Sequence, residues 1–488
     1  MSPAPLPFPT GRAGSASATA GSTTARRTTP GRTVAGTASG PGTPADGELG
    51  RRLHEAGLDA DTGSRRLAEY AYDASNYRVR PRAVVFPRSA ADVAAALSVC
   101  RELGVPVTSR GGGTSMAGNA VGPGLVLDLS RHLRRIGAVD EQALTVDVEA
   151  GAVLSVLARE VERRTGGRLT FAPDPSSRTR ATVGGSIGND ACGNHSVRYG
   201  RTSDHTVELD LVTADGARLT AGPGGLRATD ATDEVSARRA AELGAALRDV
   251  AAAHLAELRV ELGRIPRQVS GYHLQHLLPE RGFDVARALV GSEGTCAVVV
   301  GARMRLVPRP RSALLLCLGY EDVVAAARDV PILLEEEPAA VEGIDDKIVA
   351  TMRWRRGADA VAAMPRGGAW LYVDLDGDDA AEVAERAEAL LERLLREGHA
   401  LDGRTVPDPV ERSSLWRVRE DGAGLSSRLA PDAALDRSES WPGWEDSAVA
   451  PERLADYLAE LRVLLERHGL DGVVYGHFGA GCLHIRIT

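Results

Sequence analysis

Two histidines bracket the most chemically suggestive stretch of this chain, Gly476-His-Phe-Gly-Ala-Gly-Cys-Leu-His484. Residues seven apart share a face of a helix, but Gly479 and Gly481 disfavour one here. On a single straight strand an odd separation sends His477 and His484 to opposite faces. A strand, a glycine turn and a second strand let both imidazoles converge, which suits a divalent metal or a shared substrate. Two such residues also fit a purely structural turn. Farther upstream, Trp416-Arg-Val-Arg-Glu420 offers two guanidiniums. Their planar forks match a carboxylate, and equally a surface ion pair.

Three glycine-rich blocks form a second group. Ser109-Arg-Gly-Gly-Gly-Thr-Ser-Met-Ala-Gly-Asn119 lies between the apolar runs Val105–Thr108 and Leu125–Leu129, so it reads as a loop between buried strands. Without side chains in the way, several backbone N–H groups converge on one point, a concave donor array suited to a pyrophosphate. No Gly-Lys-Ser/Thr follows and no GxGxxG opens a helix, so it is neither a Walker A loop nor a dinucleotide fingerprint. A plain glycine-rich connection is the alternative. Residues 173–204 add five glycines among Asn, Ser and Thr donors, and Gly291-Ser-Glu-Gly-Thr295 precedes the strand-like Ala297–Val300.

The order RGGGTS, then PD…T-x-GG…N…YG, then GSEGT resembles the FAD-binding fold of the vanillyl-alcohol oxidase/PCMH superfamily. Within it, the chain is similar to the D-lactate, glycolate and D-2-hydroxyglutarate dehydrogenase branch over residues 50–488. The resemblance implies an α+β architecture, a PCMH-type FAD-binding domain at 46–308 and a ferredoxin-like cap domain at 309–488. It implies FAD held by Arg110, Gly111, Gly112, Gly113, Thr114, Ser115, Gly118 and Asn119. The second block would contribute Pro173, Asp174, Thr182, Gly184, Gly185, Gly188, Asn189, Gly193, Asn194, Tyr199 and Gly200, and the third Glu293 and Gly294. Linked members bond the flavin through a histidine in or near the first loop; Thr114 stands there, implying non-covalent FAD.

The same resemblance implies oxidation of a small D-2-hydroxy acid to the 2-oxo acid, with the α-hydride passing to flavin N5. Arg419 would anchor the substrate carboxylate, with Arg417 a structural partner. His477 and His484 would act on the hydroxyl and hold a divalent ion such as Zn, Mn or Fe. Relatives carry Asp and Asn where this chain has Ala480 and Cys482. They also draw a third ligand and a proton-accepting histidine from a later Glu-His-Gly segment. The expectation is therefore a cap cut short at its C-terminal end, as in the front half of longer flavoproteins that continue into an iron–sulfur module. A fragment or subunit that needs a partner chain is one alternative. Another oxidase or alkyl-transfer reaction on the same fold is a second. Electrons would leave to a quinone or an iron–sulfur acceptor, on a partner chain if need be.

The whole chain sets outer bounds. Its 488 residues exceed what one core accommodates, so two or more domains are expected. A net charge of −8 argues against nucleic acid as a partner. No apolar run approaches the roughly 20 residues of a membrane span, so the expected location is cytoplasmic, or peripheral to the inner face of a membrane. Five scattered cysteines without a CxxC pair suit a reducing compartment and no iron–sulfur cluster in this chain. Nothing indicates the oligomeric state.

The elements that must position these residues follow from period and punctuation. Residues 1–45 hold Ser, Thr, Gly, Pro, Ala and Arg with no acid, which predicts a disordered tail. A misplaced start or a basic docking arm are the alternatives. Beyond it come a strand at 83–87, a helix from Ser89 to Gly104, strands near 125–129 and 144–149, a helix over 153–165 and a strand at 207–212. One long helix is predicted around 234–262. Pro308-Arg-Pro-Arg311 marks the domain boundary. Strand 313–319, a helix near 321–335, strand 369–375 and a helix near 379–397 then give a β-α-β-α rhythm. Asp374-Leu-Asp-Gly-Asp-Asp379 reads as a strand-to-helix turn, Glu335–Glu337 as a solvated patch, and Trp441–Asp446 as packing.

Overall fold

Residues 44–431 and 439–488 are described by the structure, a computed structural model. The tail expected over 1–45 lies outside them except for Pro44 and Ala45, which already belong to the helix Pro44–Glu55. Pro44–Thr488 form one compact unit.

Its first part is built on two sheets. The smaller runs Ala60–Asp61, Ala83–Val85, Leu125–Asp128, Val107–Arg110, the last three mutually parallel. The helix Ala90–Leu103 crosses between two of these strands. Ser89 Oγ accepts from Asp92 N at 3.2 Å, and Gly104 ends the helix at φ 62°. The first glycine block leaves the C-terminal end of Val107–Arg110. The larger sheet is antiparallel, in the order Gly225–Ala228, Arg218–Gly222, Thr206–Val212, Val298–Arg305, Thr145–Glu149, Ile136–Asp140. Its core includes Leu209, Leu211, Met304 and Leu157. The long helix predicted around 234–262 is interrupted at His254, giving Glu234–Ala253 and Leu255–Glu261.

The second part is a seven-stranded antiparallel sheet. Its order is Asp402–Val406, Ser312–Tyr320, Ala369–Gly377, Ala340–Asp345, Gly472–Gly476, Cys482–Ile487, Trp441–Ala448. The inner strands read as nearly continuous apolar runs because both faces are covered. Leu316, Leu371, Val341, Val474 and Ile485 face Ala380–Glu397 and Leu454–Arg467. Cys317, Tyr372, Ile344 and Tyr475 face Asp346–Arg356 and Pro409–Leu425. The helix expected near 321–335 is two, Val323–Arg328 and Val330–Leu334, meeting at Asp329 ahead of Pro331. Among the described residues no helix is long and apolar enough to cross a membrane.

Asp374 and Asp376 require a correction. They belong to the strand Ala369–Gly377, not to a turn, and both are buried.

Candidate active site

The face of the seven-stranded sheet that carries Tyr372 also carries the chemistry. Side chains alternate along a strand, so Glu342 shares that face with Ile344, and His484 and Arg486 lie opposite to Leu483 and Ile485. Register sets Ile344, Tyr475 and His484 in one row across three strands. Between the last two strands the chain turns through Phe478–Ala480 and Gly481 at φ 65°. The strand, turn and strand expected for the histidine motif is what forms.

The turn brings the two imidazoles together, with their Nε2 atoms 3.3 Å apart and the rings at 82°. Behind them, His477 Nδ1 donates to Glu342 Oε1 at 2.6 Å. Arg419 donates to Glu342 Oε2 from Nε (3.1 Å) and from an Nη (2.8 Å), and its guanidinium lies 5.0 Å from the Tyr475 ring centre. Glu342 is 1% exposed, and burial pushes its pKa up to about 7 against the pull of Arg419, Arg267 and His484. With His477 Nδ1–H given to Glu342, neutral His477 presents a lone pair at Nε2 and His484 supplies the Nε2 proton.

Glu342 was not singled out from the sequence. A signal existed: a carboxylate at an inward position of the apolar run Ala340–Ile344. Arg419 comes to the histidines as expected, but the described partner of its fork is a carboxylate of this chain. Arg417 is set apart, bonding Ser413 O across one helical turn.

A divalent ion has a partial fit. Two Nε2 atoms 3.3 Å apart can share one ion, and Glu342 is placed as the outer carboxylate that orients a ligating histidine. Among the described residues no group of three or more His, Cys, Asp or Glu is positioned for a metal.

The three glycine-rich blocks meet on one open surface. The exposed Glu293, at φ 53°, accepts from Asn119 Nδ2 at 2.8 Å and from Asn189 Nδ2 at 3.0 Å, tying all three together. Partial burial raises the Glu293 pKa, while the two amides oppose the shift. Gly111 and Gly112 do more than free backbone donors. A Cβ on Gly111 would stand 2.0 Å from Thr182 Oγ1, and one on Gly112 would stand 2.2 Å from the carbonyl oxygen of Arg180. These two glycines let the first and second blocks lie against each other.

Several other expected cofactor residues serve the scaffold. Arg110 bonds Ala120 O at 2.9 Å, and Gly113 makes room for its guanidinium. Ser115 Oγ accepts from the Asn119 and Ala117 amides, and Gly118 abuts Tyr77. Thr182 caps the helix Val183–Asn189, and Gly184 packs on Ala150. Pro173 and Asn194 are buried, Thr114 is half-buried, and Gly200 closes on Asp204. Open space adjoins Gly188 and Gly294, and Gly185 is exposed. With the exposed amides of Asn119 and Asn189 and the buried hydroxyl of Ser186, which has no partner among the described residues, this surface fits an extended polar cofactor.

The second block also reaches the seven-stranded sheet. His195 sits between two carboxylates, Nδ1 to Asp174 Oδ2 at 2.7 Å and Nε2 to Asp374 Oδ2 at 3.4 Å. Burial acts to lower the His195 pKa, but Asp174 and Asp374 outweigh it and hold it well above the ordinary value. Arg198 pairs with Asp376, whose other oxygen accepts from Tyr199 OH at 3.2 Å. Asp174 and Tyr199, expected at the cofactor, are therefore engaged in joining the glycine blocks to the sheet.

Comparisons with known proteins follow the same division. Residues 81–222 match the FAD binding domain family, and residues 309–488 match the C-terminal domain of FAD linked oxidases. The chain is 33% identical over 446 residues to a D-2-hydroxyglutarate dehydrogenase of Pseudomonas putida, covering 88% of this chain and 43% of that protein. It is 27% identical over 434 residues to the glycolate oxidase subunit GlcD of Bacillus subtilis, covering 88% and 77%. It thus spans less than half the length of the D-2-hydroxyglutarate dehydrogenase it matches. Its fold is similar to that of an alkyldihydroxyacetonephosphate synthase, with TM-score 0.61 at 14% identity over 90% of this chain and 80% of that one.

Proposed function

We propose that this chain, which belongs to the family of FAD-linked oxidases, oxidises a D-2-hydroxy acid to the corresponding 2-oxo acid. The observation that carries the reading is the Glu342–His477–His484–Arg419 constellation, largely buried on the sheet face that the second glycine block abuts. The D-2-hydroxyglutarate dehydrogenase and glycolate oxidase relatives support the substrate class.

A 2-hydroxy acid presents a carboxylate and an adjacent hydroxyl, and the site offers a group for each. Arg419 keeps guanidinium N–H groups beyond the two that serve Glu342, and these can take the carboxylate in charge-assisted bonds. A substrate hydroxyl that displaces His484 Nε2–H from His477 Nε2 would meet the lone pair there as proton acceptor, and Glu342 would stabilise the imidazolium that results at His477. Bound FAD, held non-covalently because Thr114 replaces a linking histidine, supplies the acceptor for the α-hydrogen and its electron pair. His477 and His484 are the residues that would hold a divalent ion, whose chemistry is to lower the pKa of a bound hydroxyl. A quinone or an iron–sulfur partner would be needed to take the electrons from the flavin.

Anaerobic mixing of the FAD-loaded chain with a panel of D- and L-2-hydroxy acids tests this. Loss of flavin absorbance with a D-acid is expected. A chain that binds FAD yet bleaches with no acid on the panel would contradict the reading.

A further inference from the structure

Three arginines are buried among the described residues, and two of them are committed. Arg267 donates to Ser196 Oγ at 2.6 Å, and Arg419 is paired with Glu342. Arg486 is 7% exposed, its Nε has no hydrogen-bond partner, and it makes no ion pair with the described residues. A guanidinium removed from water without a compensating anion is costly. Such a residue calls for a ligand.

Its position says which one. Arg486 follows His484 by two residues on the same strand, so the two side chains share a face, roughly 6.6 Å apart along the chain. Arg486 pairs with Val473 in register, one step beyond the Ile344–Tyr475–His484 row and away from Glu342. The histidine pair therefore has the Arg419–Glu342 pair on one side and, on the other, a guanidinium with no anionic partner among the described residues. A monocarboxylic substrate requires one guanidinium. A dicarboxylic one of about five carbons carries a second carboxylate beyond its hydroxyl, and that carboxylate can meet Arg486.

We propose that Arg486 is a specificity-determining residue that binds the distal carboxylate of a 2-hydroxy dicarboxylic acid. This rests on the functional reading above and narrows its substrate class.

Isothermal titration calorimetry on the FAD-loaded chain provides the test, with 2-oxoglutarate and 2-oxopentanoate as product-like probes matched in carbon number. The wild type is expected to bind the diacid at least tenfold tighter. In Arg486→Met that ratio should fall to near one, and the melting temperature should hold or rise because an uncompensated buried charge is gone. Arg486→Lys, which keeps the charge, should retain part of the preference and serves if the methionine variant does not fold. A wild-type preference that survives in Arg486→Met overturns the proposal. So does a melting temperature several degrees lower in that variant, which would mark Arg486 as paired within the fold. A wild type that binds 2-oxopentanoate as tightly as 2-oxoglutarate overturns this inference and leaves the general reading standing. Binding of neither probe would remove both.

Discussion

Replacing His195 by Gln tests how the glycine blocks are fastened to the seven-stranded sheet. The imidazole stands between Asp174 Oδ2 at 2.7 Å and Asp374 Oδ2 at 3.4 Å, on opposite ring nitrogens. Without its charge, two carboxylates about 7 Å apart face each other, a repulsion of about 2 kcal/mol at an effective dielectric constant of about 20. Loss of the charge-assisted bond to Asp174 adds about 1.5–3 kcal/mol. The expected cost near pH 6 is therefore about 3–5 kcal/mol, read from urea unfolding. The pH dependence has a definite sign. The folded-state pKa of His195 is raised, so its contribution is fully present below the unfolded value of about 6.5 and is lost as pH rises through the folded value. The gap between wild type and His195→Gln should narrow at alkaline pH. Adding Asp374→Asn to the variant should recover part of the loss by removing the repulsion. A cost that is constant from pH 6 to 9, or a double variant less stable than the single one, would refute the reasoning.

The glycine blocks yield two further predictions. Gly112→Ala should be more damaging than Gly111→Ala, because the first meets the Arg180 backbone carbonyl and the second a Thr182 side chain that can rotate; thermal melts of the two apoproteins decide it. Glu293→Ala removes the acceptor shared by Asn119 and Asn189, and should weaken FAD binding about tenfold, in line with roughly 1–2 kcal/mol for two exposed bonds to a charged group. Flavin fluorescence titration measures it, and an unchanged Kd would show that the clamp does not shape the FAD surface.

What could be read from the sequence was local. Glycines, caps and apolar periods report on their own neighbourhood, so the helix Ala90–Leu103, the loop after Val107–Arg110 and the strand–turn–strand around His477 were all legible. The roles of the glycines were only half legible. Gly111 and Gly112 read as openings for a ligand, whereas the clash they avoid is with Thr182 and Arg180, some seventy residues away. Glu342, Asp374 and Arg486 were not legible, because each gains its meaning from strand register. Glu342 meets His477 across 135 residues, Asp374 meets His195 from a neighbouring layer, and Arg486 matters because His484 shares its face. Asp374 in particular sits in an acidic run that local rules assign to a turn, and burial opposite a histidine overrides them.

The most direct measurement compares wild type with His484→Ala in anaerobic stopped-flow mixing with D-2-hydroxyglutarate, following flavin absorbance. Both proteins should hold FAD, since His484 lies on the sheet and not in the glycine blocks. The account predicts that the wild type bleaches and that the variant is slower by at least tenfold, because the proton acceptor His477 loses the imidazole that faces its Nε2 at 3.3 Å. Equal bleaching rates would place the chemistry elsewhere than the His477–His484 pair and contradict the account.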